Sequence, residues 1–203
     1  MAVDAQGAGE AALTVEERLA RGPFFRGDTR TLVGSLLLAV AFSANMQFTE
    51  RLDQIWTGGL GVPLGHTFAE VWWPTAAIYF GGTGALIVAN FNPIIALLSA
   101  THPLAWSFFF LNMAVLFTEA FLFRAWFRRH GEINFWTFCL FVSIADLVSS
   151  LLQLVGLNII VLKLSFNLNL LLFFWQWLMA TVIGGPMGFA FYRAVRRSGV
   201  FAR

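Results

Sequence analysis

The chain has 203 residues, 58% of them hydrophobic and only 12% charged, with a mean hydropathy of +0.72. So apolar a surface cannot be kept in water, which excludes a soluble globular domain and predicts an all-α, polytopic membrane protein. At roughly 20 residues per crossing the length allows about six spans and no separate soluble domain, so any ATPase or signalling output has to come from another polypeptide.

Residues 1–30 read as a polar, Ala/Gly-rich cytoplasmic tail that ends in Arg18, Arg21, Arg26 and Arg30 and carries a short amphipathic stretch at 15–19. The first apolar run starts only near Thr31, so no signal-peptide pattern precedes it. Spans are predicted at 31–49, 66–80, 83–100, 104–124, 134–160 and 167–192, with 193–203 as a basic cytoplasmic tail. On the first span Ser35, Ala39 and Ser43 recur every fourth residue, which lays small side chains along one face and lets another helix approach closely. The connection at 50–65 holds Trp56, Gly58, Gly59 and Gly61. It reads either as a gating loop or as a glycine-rich turn with Trp56 in the interfacial aromatic belt.

Glu70, Trp72, Trp73 and Pro74 interrupt the second span, and Glu70 is either a site residue or an outer-interface residue. The third, GGTGALIVANFNPIIALLSATHP, sets Asn90, Asn92 and Pro93 close to its middle. Pro93 removes one backbone donor and frees the carbonyl four residues back, and an unpaired amide in hydrocarbon costs on the order of several kcal/mol. The cluster therefore has to face other helices or a watery pocket.

Asn112 and Glu119 on the fourth span, and Asp146 and Gln153 on the fifth, each stand seven residues apart and so share a helical face. A charge at membrane depth costs about 2.5–3.5 kcal/mol on insertion scales, so such residues pair or line a cavity. Asp146 is the strongest single candidate, whereas Glu119 has Arg124 and Arg128 as alternative partners. The fifth span is long enough to tilt or break near Gly156. The sixth adds Trp175, Gln176 and Trp177 in its outer half, and Gly184, Gly185, Pro186 and Gly188 thin its inner end.

Of the 13 Lys and Arg only Arg51 and Lys163 fall on the far side of a six-span topology, which predicts both termini to be cytoplasmic. Cys139 is the only cysteine, so no disulfide forms within the chain. His66, His102 and His130 are scattered in or near connections, and no HExxH, GxSxG or P-loop pattern occurs. Neither enzyme, cofactor nor metal centre is expected, and without a basic run interleaved with aromatics on a soluble module, nucleic acid is not expected as a partner.

Six spans, cytoplasmic ends, the small-residue face, the glycine-rich connection, GGTGALIVANFNPIIALLSATHPLA and the closing GGPMGFAFYRAVRRSG resemble the substrate-binding S component of energy-coupling factor transporters over most of residues 31–199. The resemblance implies an importer subunit in the cytoplasmic membrane that captures a small, planar, vitamin-like molecule on its outer side. It implies Ser35, Ala39 and Ser43 as docking residues for a T-type membrane subunit joined to two ATPases, although two serines stand where the family carries alanine. It further implies Trp56, Gly58, Gly59 and Gly61 as lid, and Asn90, Asn92, Asn112, Asp146, Gln153, Trp175 and Gln176 as pocket. A membrane sensory module, or a structural subunit of a membrane complex, are the alternatives, and co-purifying partners discriminate among the three.

Overall fold

The computed structural model describes residues 13–57, 64–99 and 104–201, and among these the regular elements are all helical. By length and composition, five helical stretches among the described residues are long and apolar enough to cross a membrane: Thr29–Leu52, Trp73–Leu98, Ala105–Phe127, Phe135–Val161 and Phe166–Ser198. The chain is a multi-pass membrane protein.

Helix α1, Val15–Arg21, extends the amphipathic stretch expected at 15–19. Thr14 and Glu17 form a capping box, each side chain accepting from the other's backbone N–H, at 3.2 and 2.9 Å. Its buried face presents Leu19 and Ala20 to the bundle. Asp28 then starts α2, Thr29–Thr57, by accepting from the Thr31 N–H at 2.9 Å and the Thr31 hydroxyl at 2.7 Å. Partial burial pushes the Asp28 carboxyl up, but the two Thr31 hydrogen bonds outweigh it and hold it below its usual value.

α2 runs well past the expected boundary at 49, so residues 50–57 continue the helix instead of opening the connection. Trp56 thus lies on helical backbone, while its side chain and Gly58, Gly59 and Gly61 lie outside the described residues. Ser35, Ala39 and Ser43 are buried within the chain, on a helix that packs against α3 and α4. The face that looks outward is instead Leu32, Val33, Leu36, Leu37 and Val40, a lipid-compatible surface.

A short α3, Leu64–Ala69, leads into α4, Trp73–Leu98. α4 is broken at Gly81, whose φ of 58° and ψ of −139° are not helical. A Cβ placed on Gly84 would lie 2.6 Å from the carbonyl oxygen of Ala76. Eight residues of continuous helix rise about 12 Å, so the chain folds back sharply at Gly81 and its two limbs pack on each other. The positive φ needs glycine, and the absence of a side chain at 84 lets the limbs meet. Residues 73–85 are all buried, which makes this reversal the centre of the bundle. It also falls between the second and third predicted spans, which appear here as α3 followed by the two limbs of α4.

The remaining helices are α5, Ala105–Phe127; α6, Phe135–Leu152; α7, Phe166–Met179; and α8, Gly185–Ser198. α6 begins at Asn134, whose side chain accepts from the Thr137 N–H at 2.8 Å, and widens into π-type turns over Gln153–Val161, around Gly156. α7 joins α8 through a second widened stretch, Ala180–Gly184, where Pro186 has no N–H to offer the preceding turn. α8 carries Arg193, Arg196 and Arg197 in its last turns, in place of the separate tail expected from 193.

The basic regions converge at one end of the bundle. Arg124 of α5 and Arg128, which caps its end, donate to the carbonyls of Gly22 and Ala20 at 2.7 and 3.2 Å. Glu16 of α1 is buried and accepts from the Tyr192 hydroxyl at 2.6 Å and pairs with Arg196 at 3.0 Å, and Arg196 also reaches Glu132 at 3.2 Å. Glu16→Ala leaves the Tyr192 hydroxyl without its acceptor, and thermal unfolding of the purified protein is expected to show a loss of about 1–3 kcal/mol. A midpoint equal to that of the wild type would show that α1 is not held there.

Candidate functional site

α3 and the residue that follows it set His66 and Glu70 four positions apart, on one face of a helical turn. α6 brings Asp146 to the same place, and ligand-type atoms of His66, Glu70 and Asp146 all lie within 4.8 Å of one another. His66 Nε2 is in direct contact with Asp146 Oδ1. Glu119 of α5 faces Glu70. Glu70, Glu119 and Asp146 are 0% exposed, while the His66 side chain retains 17%. Trp73 closes one side, its ring edge-on to the imidazole at 5.4 Å between centroids.

α8 can seat against this cluster because it is thinned by glycine. A Cβ on Gly184 would meet the Glu70 Cβ at 2.8 Å and the Thr67 carbonyl oxygen at 2.9 Å, and one on Gly188 would meet the Glu70 carbonyl oxygen at 2.3 Å. The GGPMG run is thus the seat of residue 70.

The electrostatics are unbalanced. Both oxygens of Glu70, both of Glu119 and Oδ2 of Asp146 are buried with no donor from any other kind of residue, and Glu70 and Glu119 face each other closely enough to share a proton. Three carboxyl groups and one imidazole leave the cluster with more acceptors than the protein can satisfy. An arrangement of this kind is costly in a low-dielectric interior unless protons or a bound cation offset it. One imidazole nitrogen and several carboxylate oxygens also make a chemically coherent ligand set for a divalent cation.

The residues expected to line a pocket have the following partners. Asn112 Nδ2 donates to the Ala89 carbonyl at 3.1 Å, and Ala89 is the residue four positions before Pro93. The carbonyl freed by the proline is therefore satisfied by a neighbouring helix. Asn92 donates to Glu50 at 3.2 Å, and Asn90 donates to the Leu86 carbonyl within its own helix at 2.6 Å. Gln176 donates to Gln153 at 3.0 Å, and Trp175 is 46% exposed on the outer surface of the bundle. Asp146 alone of the seven sits in the acid cluster.

Arg124 and Arg128 donate to the backbone carbonyls of Gly22 and Ala20, whereas Glu119 faces Glu70, and both acids are fully buried in the bundle. The expectation of no metal-type donor set rested on scattered histidines. In the fold His66 meets Asp146 across 80 positions of sequence. The available signal was the His-x-x-x-Glu spacing at 66 and 70, which places both side chains on one face. No family model, no curated protein and no solved structure matches the chain.

Proposed function

We propose that the protein is the substrate-binding subunit of a membrane importer and that its cargo is a divalent transition-metal ion, held inside the bundle by His66, Glu70, Glu119 and Asp146. The observation that carries the proposal is the cluster of three buried carboxyl groups around one imidazole, in which His66, Glu70 and Asp146 place ligand-type atoms together and Glu119 faces Glu70. Metal–nitrogen and metal–oxygen bonds of about 2.0–2.2 Å would draw together His66, Glu70 and Asp146, whose ligand-type atoms already lie within 4.8 Å of one another, with Glu119 closing in from beside Glu70. The mixed nitrogen and oxygen set favours Mn²⁺, Co²⁺ or Zn²⁺ over Mg²⁺ and Ca²⁺, which prefer oxygen alone. Three carboxyl groups supply the negative charge that a dication needs, and burial supplies the dry surroundings in which that attraction is strong.

A small organic cation is the second reading, favoured by the Trp73 ring that walls the cluster beside His66. Coupling to a T-type membrane subunit and two ATPases in the cytoplasmic membrane belongs to the same proposal, and co-purification tests it. With Ser35, Ala39 and Ser43 buried in the chain, such docking falls to another face.

Calorimetry and Mn²⁺ paramagnetic resonance on the full chain in lipid nanodiscs test the cargo. Saturable, one-to-one binding of Mn²⁺, Co²⁺ or Zn²⁺, absent with Mg²⁺ and Ca²⁺ and lost in Asp146→Asn, is the expected result. Binding of alkylamines or amidines in place of metal would transfer the site to the organic reading. Failure of every cation to bind would remove the importer reading altogether.

A further inference from the structure

α8 is held at two places. At its start it is seated on residue 70, where the missing side chains of Gly184 and Gly188 leave room for the Glu70 side chain and its carbonyl oxygen. One and two turns further on, Tyr192 and Arg196 both reach Glu16 of α1, the hydroxyl donating at 2.6 Å and the guanidinium at 3.0 Å to the same carboxylate oxygen. Glu16 shares the buried face of α1 with Leu19 and Ala20, so the helix that packs its apolar side inward takes the carboxylate with it. That helix is in turn moored to the end of α5, since Arg128 donates to the Ala20 carbonyl at 3.2 Å and Arg124 to the Gly22 carbonyl just beyond it at 2.7 Å.

The chain that leads into α8 is built to bend. Ala180–Gly184 is wound in π-type turns and Pro186 offers no N–H to the preceding turn, and both features are recurrent causes of helix kinks. A helix hinged at one end and bonded at the other swings only when the far bonds break. Those bonds break together, because losing one partner of a buried carboxylate leaves a charge that its surroundings no longer compensate.

We propose that α1 is a latch on α8. With Glu16 engaged, α8 stays seated on residue 70 and the acid cluster keeps its shape; with Glu16 released, α8 pivots about residues 180–186 and its seat on residue 70 opens. On the importer reading, on which this last consequence rests, an event at the arginine-rich surface that lifts α1 would loosen the cargo's ligands.

Cys139, the only cysteine, reports on the latch directly, because its sulfur lies 3.5 Å from the place of a Cβ on Gly185 and α8 covers it in part. Labelling by N-ethylmaleimide is followed on the full chain in lipid nanodiscs, well below the unfolding midpoint. Tyr192→Phe keeps the ring that stacks on Phe138 and removes only the hydroxyl, and it is expected to speed labelling of Cys139 about tenfold, as is Glu16→Gln. Glu132→Gln, which removes the 77% exposed partner of Arg196, is expected to leave the rate within about twofold. Ala39→Cys in a Cys139→Ser background, at a fully buried position of α2, reports global opening instead and is expected to label equally slowly with and without Tyr192→Phe. Unchanged labelling of Cys139 in both latch variants overturns the proposal, and so does equal acceleration at both reporters, because general destabilisation would then be the cause. Mn²⁺ dissociation is expected to quicken about tenfold in Tyr192→Phe, and an unaltered rate would overturn the coupling of the latch to the cluster. Should the wild type bind no cation, the importer reading fails while Cys139 still decides the latch.

Discussion

Gly188→Ala is expected to lower the thermal midpoint of the purified protein and weaken cation binding in the same variant, although it adds one methyl group. The new Cβ would stand 2.3 Å from the carbonyl oxygen of Glu70, well inside contact distance, and that oxygen is backbone that cannot swing aside. Either α8 or the segment carrying residue 70 has to retreat, and overpacking of this kind costs about 1–3 kcal/mol. A retreat at residue 70 carries the Glu70 carboxylate and, one turn earlier, His66 away from Asp146. Stability and binding therefore fall together. Gly185→Ala is the matched control, because its nearest neighbour would be the Cys139 sulfur at 3.5 Å, an ordinary contact. Its effect is expected to be small, with the helix preference for alanine of up to about 1 kcal/mol acting in its favour. Unfolding curves and Mn²⁺ titrations on the two variants decide it, and Gly188→Ala matching Gly185→Ala would mean that α8 does not seat on residue 70.

The parts of this architecture that sequence disclosed are those governed by local chemistry. Residues 13–21 are polar on one side and apolar on the other, and α1 forms there with its capping box. Pro93 announces a free carbonyl at 89 and the need for a donor, although only the fold shows that Asn112 is that donor. The arginines that mark one face of the predicted topology do assemble at one end, through Arg124, Arg128 and Arg196. Hydrophobic periodicity says which face of a helix is apolar, but not which polar faces of different helices adjoin. Asn90, Asn92, Gln153 and Gln176 stood beside Asp146 as pocket candidates, yet each amide bonds to a carbonyl, amide or carboxyl group away from the acid cluster, while Asp146 meets His66 within it. His66 was hidden for a related reason. It lies on a helix of six residues beside an interrupted span, too short for periodicity to register, and its partner Asp146 is on another element altogether. The reversal at Gly81 falls at the boundary that the predicted spans 66–80 and 83–100 leave between them, although the sequence does not show that the limbs on either side pack directly on each other.

Glu119→Met is expected to make the protein more stable in the presence of a chelator and to abolish the gain in stability that Mn²⁺ gives the wild type. Most substitutions at a fully buried position destabilise, so the sign is the informative part. Glu119 is 0% exposed, and its carboxyl group faces that of Glu70. Without a bound cation the two facing acids crowd each other, and a proton shared between them offsets only part of that cost. Methionine has similar length, adapts to irregular space and carries no charge, so it keeps the packing while removing the repulsion. Replacing buried ionic groups by well-packed apolar ones stabilises by about 1–4 kcal/mol in favourable cases. For a chain of this size that corresponds to on the order of 2–4 °C per kcal/mol in the unfolding midpoint. The wild type recovers the deficit only when a cation binds the folded state, since a ligand held by the native form raises stability in proportion to the logarithm of its concentration over the dissociation constant. Unfolding curves with chelator and with saturating Mn²⁺, for both proteins, yield four midpoints. A functional cluster raises the variant above the wild type in chelator and leaves it unmoved by metal. A structural cluster, in which Glu119 and Glu70 stabilise each other through a shared proton, lowers the variant in both conditions and leaves any response to Mn²⁺ unchanged.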